Sequence, residues 1–300
     1  MTRVAIIGYG AIAGLHAAQL RTIPGVTVGS VFGPDPEKAG QFAKSLDIAR
    51  SSDHLTTALE GMDAAIVCSP SEYHFSQAQA AIERVPAVLV ELPACGSAVE
   101  AETLADAASR RGAVLHCAHT SRYLRPYQEV AKRIRNTDIG SVLQVRYARS
   151  IPPRNKNWVD DALLHHGSHP IDLFLAWFGK FQPRGCVTLP THGPPYEIAL
   201  LAALPDGAPL SVSISYRSRL AVATTTVVGS KHTIETDGFS FLRSDCLDFN
   251  GEFDSEAEYH AAIAAQDRAF LSGHGVPWSE VVSLATAVDR FRVLAGNHLT

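Results

Sequence analysis

The sequence lacks the features of a membrane-spanning, disulfide-framed or polyanion-binding chain. Its five cysteines, Cys68, Cys95, Cys117, Cys186 and Cys246, are an odd number with no Cys-x-x-Cys spacing. That argues against a disulfide framework and against a thiolate zinc site. No apolar run approaches the roughly 20 residues that a membrane helix needs. The chain enters a buried-strand pattern directly after Met1-Thr2-Arg3, which leaves no room for a cleavable leader and suggests a cytoplasmic protein. Basic residues are not in excess: 26 Lys and Arg stand against 30 Asp and Glu, a formal charge of −4. The cations are scattered, so nothing electrostatic calls for a nucleic acid or another polyanion. The one short run, Lys132-Arg133-Ile134-Arg135, reads as a solvated helix face. What remains is a 300-residue chain, 46% hydrophobic and 19% charged, long enough for two globular domains.

Residues 1–120 alternate short β-branched runs with helical stretches. Val4–Ile7, Val26–Phe32, Ala64–Cys68, Val88–Val90 and Val114–His116 read as strands, and Ala11–Ile23, Pro36–Leu46, Ser76–Arg84 and Ala98–Arg111 as helices. Strand and helix in alternation predict a parallel sheet covered on both faces, and the lack of polar alternation within the runs fits strands buried on both sides.

The first strand runs into Gly8-Tyr9-Gly10-Ala11-Ile12-Ala13, a G-x-G-x-x-A directly before a helix. Gly8 permits the tight turn, Gly10 lets the backbone approach a pyrophosphate, and Ala13 lets helix pack on strand. Such a helix start offers free N–H groups to phosphate. In a β-α-β series this is the fingerprint of a dinucleotide-binding Rossmann domain. An acidic residue usually ends the second strand to hold the ribose 2′-OH of NAD; here Phe32-Gly33-Pro34 stands there, which favours NADP and leaves NAD possible.

From residue 121 the pattern changes. A helix from Pro126 to Asn136 precedes alternating strands at Val142–Ala148, Ile198–Leu204, Leu210–Tyr216 and Ala223–Val228, with turns at Pro205-Asp206-Gly207 and Gly229-Ser230. Helices over 255–272 and 279–297 close the chain. Residues 121–300 thus predict an α+β substrate-binding and oligomerisation domain with a large, mostly antiparallel sheet.

The chemistry concentrates in Asp161–Phe174. His165, His169 and Asp172 recur at i, i+4 and i+7, one face of a helix, with His166 beside them. Structural hydrogen bonds from helix to sheet are one explanation. A metal pair is another, weakened because no Glu stands inside the pair as in H-E-x-x-H and no thiolate assists. Acid–base catalysis is the third, and no metal is expected.

Gly8 to His16, Cys68-Ser69-Pro70 with His74, Val90-Glu91-Leu92-Pro93 and the His165 to Asp172 segment together resemble the glucose-fructose oxidoreductase, inositol dehydrogenase and rhizopine-catabolism (Gfo/Idh/MocA) family, along the whole chain in order. The resemblance implies that Tyr9, Ile12, Gly33, Ser69, Pro70, His74, Glu91 and Pro93 surround the cofactor, and that the protein is a homodimer or homotetramer. Two positions depart from the family: Leu92 stands where it has a lysine beside the nicotinamide, and His165 where it has an aspartate. The 4-carboxy-2-hydroxymuconate-6-semialdehyde dehydrogenase subgroup looks alike at these points, and the likeness extends to His119-Thr120-x-Arg122 and Asn155-Lys156-Asn157-Trp158.

Leucine neither donates nor accepts a proton, so lysine-assisted oxidation of a sugar alcohol does not carry over. A cyclic hemiacetal hydroxyl is more acidic, and an imidazole suffices as its base. The expected roles are His169 as base, His165 or His166 as relay, and Asp172 as acceptor orienting an imidazole. Arg122, Arg125 or Arg154 would hold a carboxylated substrate, with Asn157 and Trp158 beside it. A non-catalytic dinucleotide sensor and an imine or enone reductase are the competing expectations.

Overall fold

A computed structural model describes residues 1–153 and 161–296, and Arg154, Asn157 and Trp158 lie outside the described residues. The chain divides into two compact units, Met1–His119 with Ile263–Ala285, and Thr120–Ala262 with the residues from Thr286 on.

The first unit holds β1 (Thr2–Ile7), α1 (Ala11–Leu20), β2 (Val26–Phe32), α2 (Pro36–Ser45), β3 (Ser51–Ser52), α3 (Leu55–Leu59), β4 (Ala64–Val67), α4 (His74–Ile82), β5 (Ala87–Glu91), α5 (Ala98–Arg111) and β6 (Val114–Ala118). The strands form one parallel sheet in the order β3-β2-β1-β4-β5-β6. Val4–Ile7, Ala64–Val67 and Val88–Val90 are buried throughout, as strands covered on both faces require. The strand order reverses between β1 and β4, and in open α/β sheets ligands bind at that crevice. Helix ends follow local chemistry: Ser97 caps α5 by accepting the Glu100 N–H, and Gly112 ends it at φ +63°.

The second unit holds α6 (Arg125–Arg135), β7 (Val142–Ser150), α7 (Ser168–Phe178), β8 (Gln182–Leu189), β9 (Glu197–Ala203), β10 (Pro209–Ser215), β11 (Val222–Gly229), β12 (Thr233–Thr236), β13 (Phe241–Ser244) and β14 (Gly251–Glu252). They form an eight-stranded sheet, β14-β13-β12-β11-β7-β10-β9-β8, antiparallel except for the β7/β10 pair. Both expected hairpin turns are present, joining β9 to β10 and β11 to β12. Along β7, Val145 and Tyr147 are buried while Arg146 and Ala148 are exposed, the period of a half-covered strand. Phe174 of α7 meets Tyr147 edge-on, with centroids 6.5 Å apart.

The final helices, α8 (Ser255–Leu271) and α9 (Trp278–Leu294), correct the expected single boundary at residue 120. Their middle section, residues 263–285, belongs to the first unit. The cause is burial: Phe270 packs into the core formed by Ile6, Ile66 and Leu89, and the Trp278 indole donates to the Ala101 carbonyl at 2.8 Å.

Candidate active site

In the first unit the cradle forms where β1 turns into α1. Gly8 has φ +118°, and a Cβ there would lie 2.7 Å from the Cys68 carbonyl oxygen, so only glycine fits. Around Gly10 a Cβ would meet nothing within 4 Å. Gly10 is the N-cap of α1 and supplies no side chain to the helix's first N–H groups. Gly10 and Ala11 are exposed and Ile12 half-buried, while Ala13 is buried where helix meets strand. Open space before an uncapped helix start fits a pyrophosphate.

Gly33 is required by its neighbour, since a Cβ would fall 2.1 Å from the Tyr9 ring. Asp35 does not take the place of a ribose-binding acid at the end of β2. It caps α2, accepting the Lys38 N–H at 3.1 Å and pairing with the Lys38 ammonium at 3.0 Å. The Lys38 backbone and side-chain hydrogen bonds hold its carboxyl below the usual range.

The loops after β4 and β5 are clasped by His74. Its Nε2 lies 2.7 Å from the Ser69 carbonyl and its Nδ1 2.8 Å from the Pro93 carbonyl. Expected at the cofactor, His74 is instead buried with both ring nitrogens taken by the backbone, so it positions the cradle. Ser69 is half-buried and Pro70 exposed, and the Ser69 hydroxyl donates to Gln77 at 2.5 Å. Leu92 is buried, 5% exposed.

Glu91 is part of a buried ionic cluster. His16 sits on the buried stripe of α1 with Ala13, Ala17 and Leu20. Its Nε2 donates to Glu91 at 2.8 Å and its Nδ1 to Asp267 at 2.9 Å, so the ring is an imidazolium. Burial alone would lower its pKa, but the Asp267 and Glu91 carboxylates raise it to about 10. The second Glu91 oxygen accepts the Leu92 N–H at 3.2 Å, which fixes the turn behind β5.

In the second unit α7 begins at Ser168, with Gly167 as N-cap, so His165 and His166 stand in the preceding turns rather than on the helix. This corrects the expected placing of His165 on one helix face with His169 and Asp172. Gly167 is the cause: its N–H reaches back to the Ala162 carbonyl, and a Cβ on it would lie 2.3 Å from the Leu163 oxygen. Pro170 falls in the first turn, where its missing N–H breaks no helical bond.

The three imidazoles still gather, with ring centroids 5.0 Å apart for His165 and His166 and 6.2 Å for His166 and His169. His166 is buried and hydrogen-bonded to the Tyr216 hydroxyl, a partner that sequence spacing did not reveal. Asp172 is buried and takes the fork of Arg122, Nε at 2.9 Å and Nη2 at 2.6 Å. Two residues expected to act separately, one on an imidazole and one on substrate, thus form one bidentate pair.

His169, half-buried, lines a narrow recess with Tyr147, Arg149, Asp237 and Phe239. Sequence reasoning missed Arg149, although the period-2 pattern of β7 places it on the covered face with Val145 and Tyr147.

Comparison with known proteins decides the class. Residues 2–119 match the family described as GFO_IDH_MocA, oxidoreductase family, NAD-binding Rossmann fold. The N-terminal unit belongs to the Gfo/Idh/MocA family. The protein is an NAD(P)-dependent oxidoreductase. Among curated Gfo/Idh/MocA-type relatives, the chain is 27% identical to 4-carboxy-2-hydroxymuconate-6-semialdehyde dehydrogenase of Sphingobium sp., over 72% of each chain. It is 28% identical to glucose-6-phosphate 3-dehydrogenase of Bacillus subtilis over 54% of this chain and 47% of that one. Similar solved structures include GenD2 from gentamicin A biosynthesis with NAD, at TM-score 0.85, 21% identity and coverage of 99% and 94%. KijD10, a 3-ketoreductase of Actinomadura kijaniata with NADP and TDP-benzene, has TM-score 0.85, 19% identity and coverage of 98% and 97%. At these identities the structures establish a shared fold.

Proposed function

We propose that this oxidoreductase oxidises a small cyclic hemiacetal or related hydroxylated substrate carrying a carboxylate, with NADP as the preferred acceptor and a histidine in place of the family's lysine. The observation that carries the reading is the gathering of His165, His166 and His169, of which His169 lines the recess, in a chain whose residue 92 is a buried leucine. The dinucleotide, when bound, supplies the hydride acceptor. The remaining work is proton transfer: His169 takes the hydroxyl proton as the carbon loses hydride, leaving a lactone that keeps the substrate's carboxylate. His166, held by Tyr216, orders the neighbouring rings. The Arg122–Asp172 pair fixes the helix that carries His169.

NADP preference is supported by Gly33-Pro34 at the end of β2, where no carboxylate repels a 2′-phosphate, and by the engagement of Asp35 as a helix cap. The test is NADP or NAD reduction followed at 340 nm against carboxylated lactols, aldoses and inositols. Carboxylated lactols alone are expected to react, with kcat/KM for NADP at least about tenfold above NAD. Turnover of inositols and not lactols overturns the substrate assignment, and equal use of NAD overturns the cofactor preference.

We also propose self-association through the uncovered sheet face, where Val187, Leu189 and Leu201 are exposed at 71%, 52% and 49%. Sedimentation equilibrium is expected to give at least twice the 32.2 kDa chain mass. A monomer at micromolar concentration excludes it.

A further inference from the structure

The rows of the second sheet isolate one anomalous residue. On the face covered by α7, successive rows read Leu210–Val145–Val227 and Val212–Tyr147–Thr225, followed by Ile214–Arg149–Ala223. Every neighbour of Arg149 in its own row is apolar. Tyr147, one row back, lies under Phe174, so the covered face continues toward the first turn of α7, where His169 and Pro170 border the same recess as Arg149.

A guanidinium on the covered face of a sheet is ordinarily held by a carboxylate. Three arginines of this unit show the pattern, Arg122 on Asp172, Arg125 on Glu258 and Arg133 on Asp138. Arg149 has no ion pair or hydrogen bond among the described residues. Asp237, the one carboxylate on the recess wall, is already engaged. Its Oδ1 accepts the N–H groups of Phe239, Ser240 and Phe241 at 2.9, 2.7 and 3.2 Å, and its Oδ2 accepts the Ser240 hydroxyl at 2.5 Å. The recess therefore presents a guanidinium with no ion-pair partner among the described residues beside the imidazole of His169, at the positive end of an 11-residue helix.

We infer that Arg149 is the carboxylate-binding residue of the substrate site, holding an anionic group of the substrate in the recess with the reacting hydroxyl toward His169. The assignment rests on the reaction proposed above and makes it specific: the substrate is an anion, and its charge is read from strand β7. Arg122, whose fork is taken by Asp172, is then a positioning residue. Guanidinium and carboxylate are matched for two parallel hydrogen bonds, and a narrow recess suits a planar carboxylate better than a whole ring.

The test uses the full chain saturated with NADP and titrated calorimetrically with isophthalate, a rigid planar dicarboxylate, or with its neutral diamide. Arg149→Met should weaken isophthalate binding about 10- to 100-fold, the loss of a charged bidentate contact, and leave the diamide unchanged. Arg149→Lys keeps the charge without the fork and should fall between. Methionine keeps the apolar stem against Ile214 and Ala223, so the variant retains the fold. Isophthalate binding to Arg149→Met within threefold of wild type, or no binding to wild type at about 20 mM, overturns the inference. Loss of isophthalate affinity in Arg149→Met, with no lactol turned over by wild type, would uphold the anion subsite and reject the proposed reaction.

Discussion

Replacing His16 by leucine is expected to lower the unfolding free energy by about 3–5 kcal/mol, the usual loss when one member of a buried ionic cluster is removed. The Asp267 side chain is fully buried and that of Glu91 is 13% exposed, so deleting the imidazolium takes away the cation that the two carboxylates share. Their repulsion and desolvation, rather than the loss of a favourable contact, make the effect large. Replacing Asp267 by leucine as well removes the deeper unpaired charge and should restore part of the stability. The pH dependence has a definite sign. An unfolded imidazole releases its proton near pH 6.5, whereas folded His16 keeps its proton to about pH 10. Its contribution is therefore complete below pH 6.5, declines as pH rises between those values, and is gone above the upper one. Urea denaturation of wild type and His16→Leu across that range measures both effects. A loss below about 1 kcal/mol at pH 6.5 would show that the cluster is not held by charge.

The second large effect is on rate. His169→Gln keeps a polar side chain of similar reach at the recess but removes the base. A fall in kcat of about 10²- to 10⁴-fold is expected, with KM changed little. Because the base works in its neutral form, wild-type kcat/KM should drop on the acid side, and that limb should flatten in the variant. A structural role for His169 would lower activity at every pH alike and keep the limb. His166→Gln separates the two neighbours, since its ring is buried against Tyr216. It should alter stability and kcat together without removing the acid limb.

The sequence spelled out the dinucleotide-binding half most clearly. Val4–Ile7 and Ala64–Val67 are continuous apolar runs, and Gly8 and Gly10 have uses that backbone geometry alone dictates. β3 consists of two serines and carries no periodic signal, and β13 and β14 are too short to show one. The histidine segment was legible as a cluster but not as a conformation. The i, i+4 spacing runs through turns that begin with helix-like bonding, His165 N–H to Asp161 O at 2.8 Å, before Gly167 shifts the register. Long-range partners were beyond reach, because nothing local announces that His16 will meet a residue 251 positions away. Arg149 was legible in principle. It keeps the inward parity of Val145 and Tyr147, and a charge at such a position is a signal once the parity is counted.

The path of α8 and α9 bears on how the chain matures during synthesis. Asp267 and Phe270, which complete the interior of the dinucleotide-binding unit, are made only after every strand of the eight-stranded sheet has been synthesised. The half translated first is thus finished last. Until then α1 holds a histidine without its Asp267 partner and the core beneath β1 and β4 lacks an aromatic side chain. A nascent chain stalled before residue 263 would carry the complete glycine motif on an incompletely packed scaffold, with its final consolidation waiting on the closing helices.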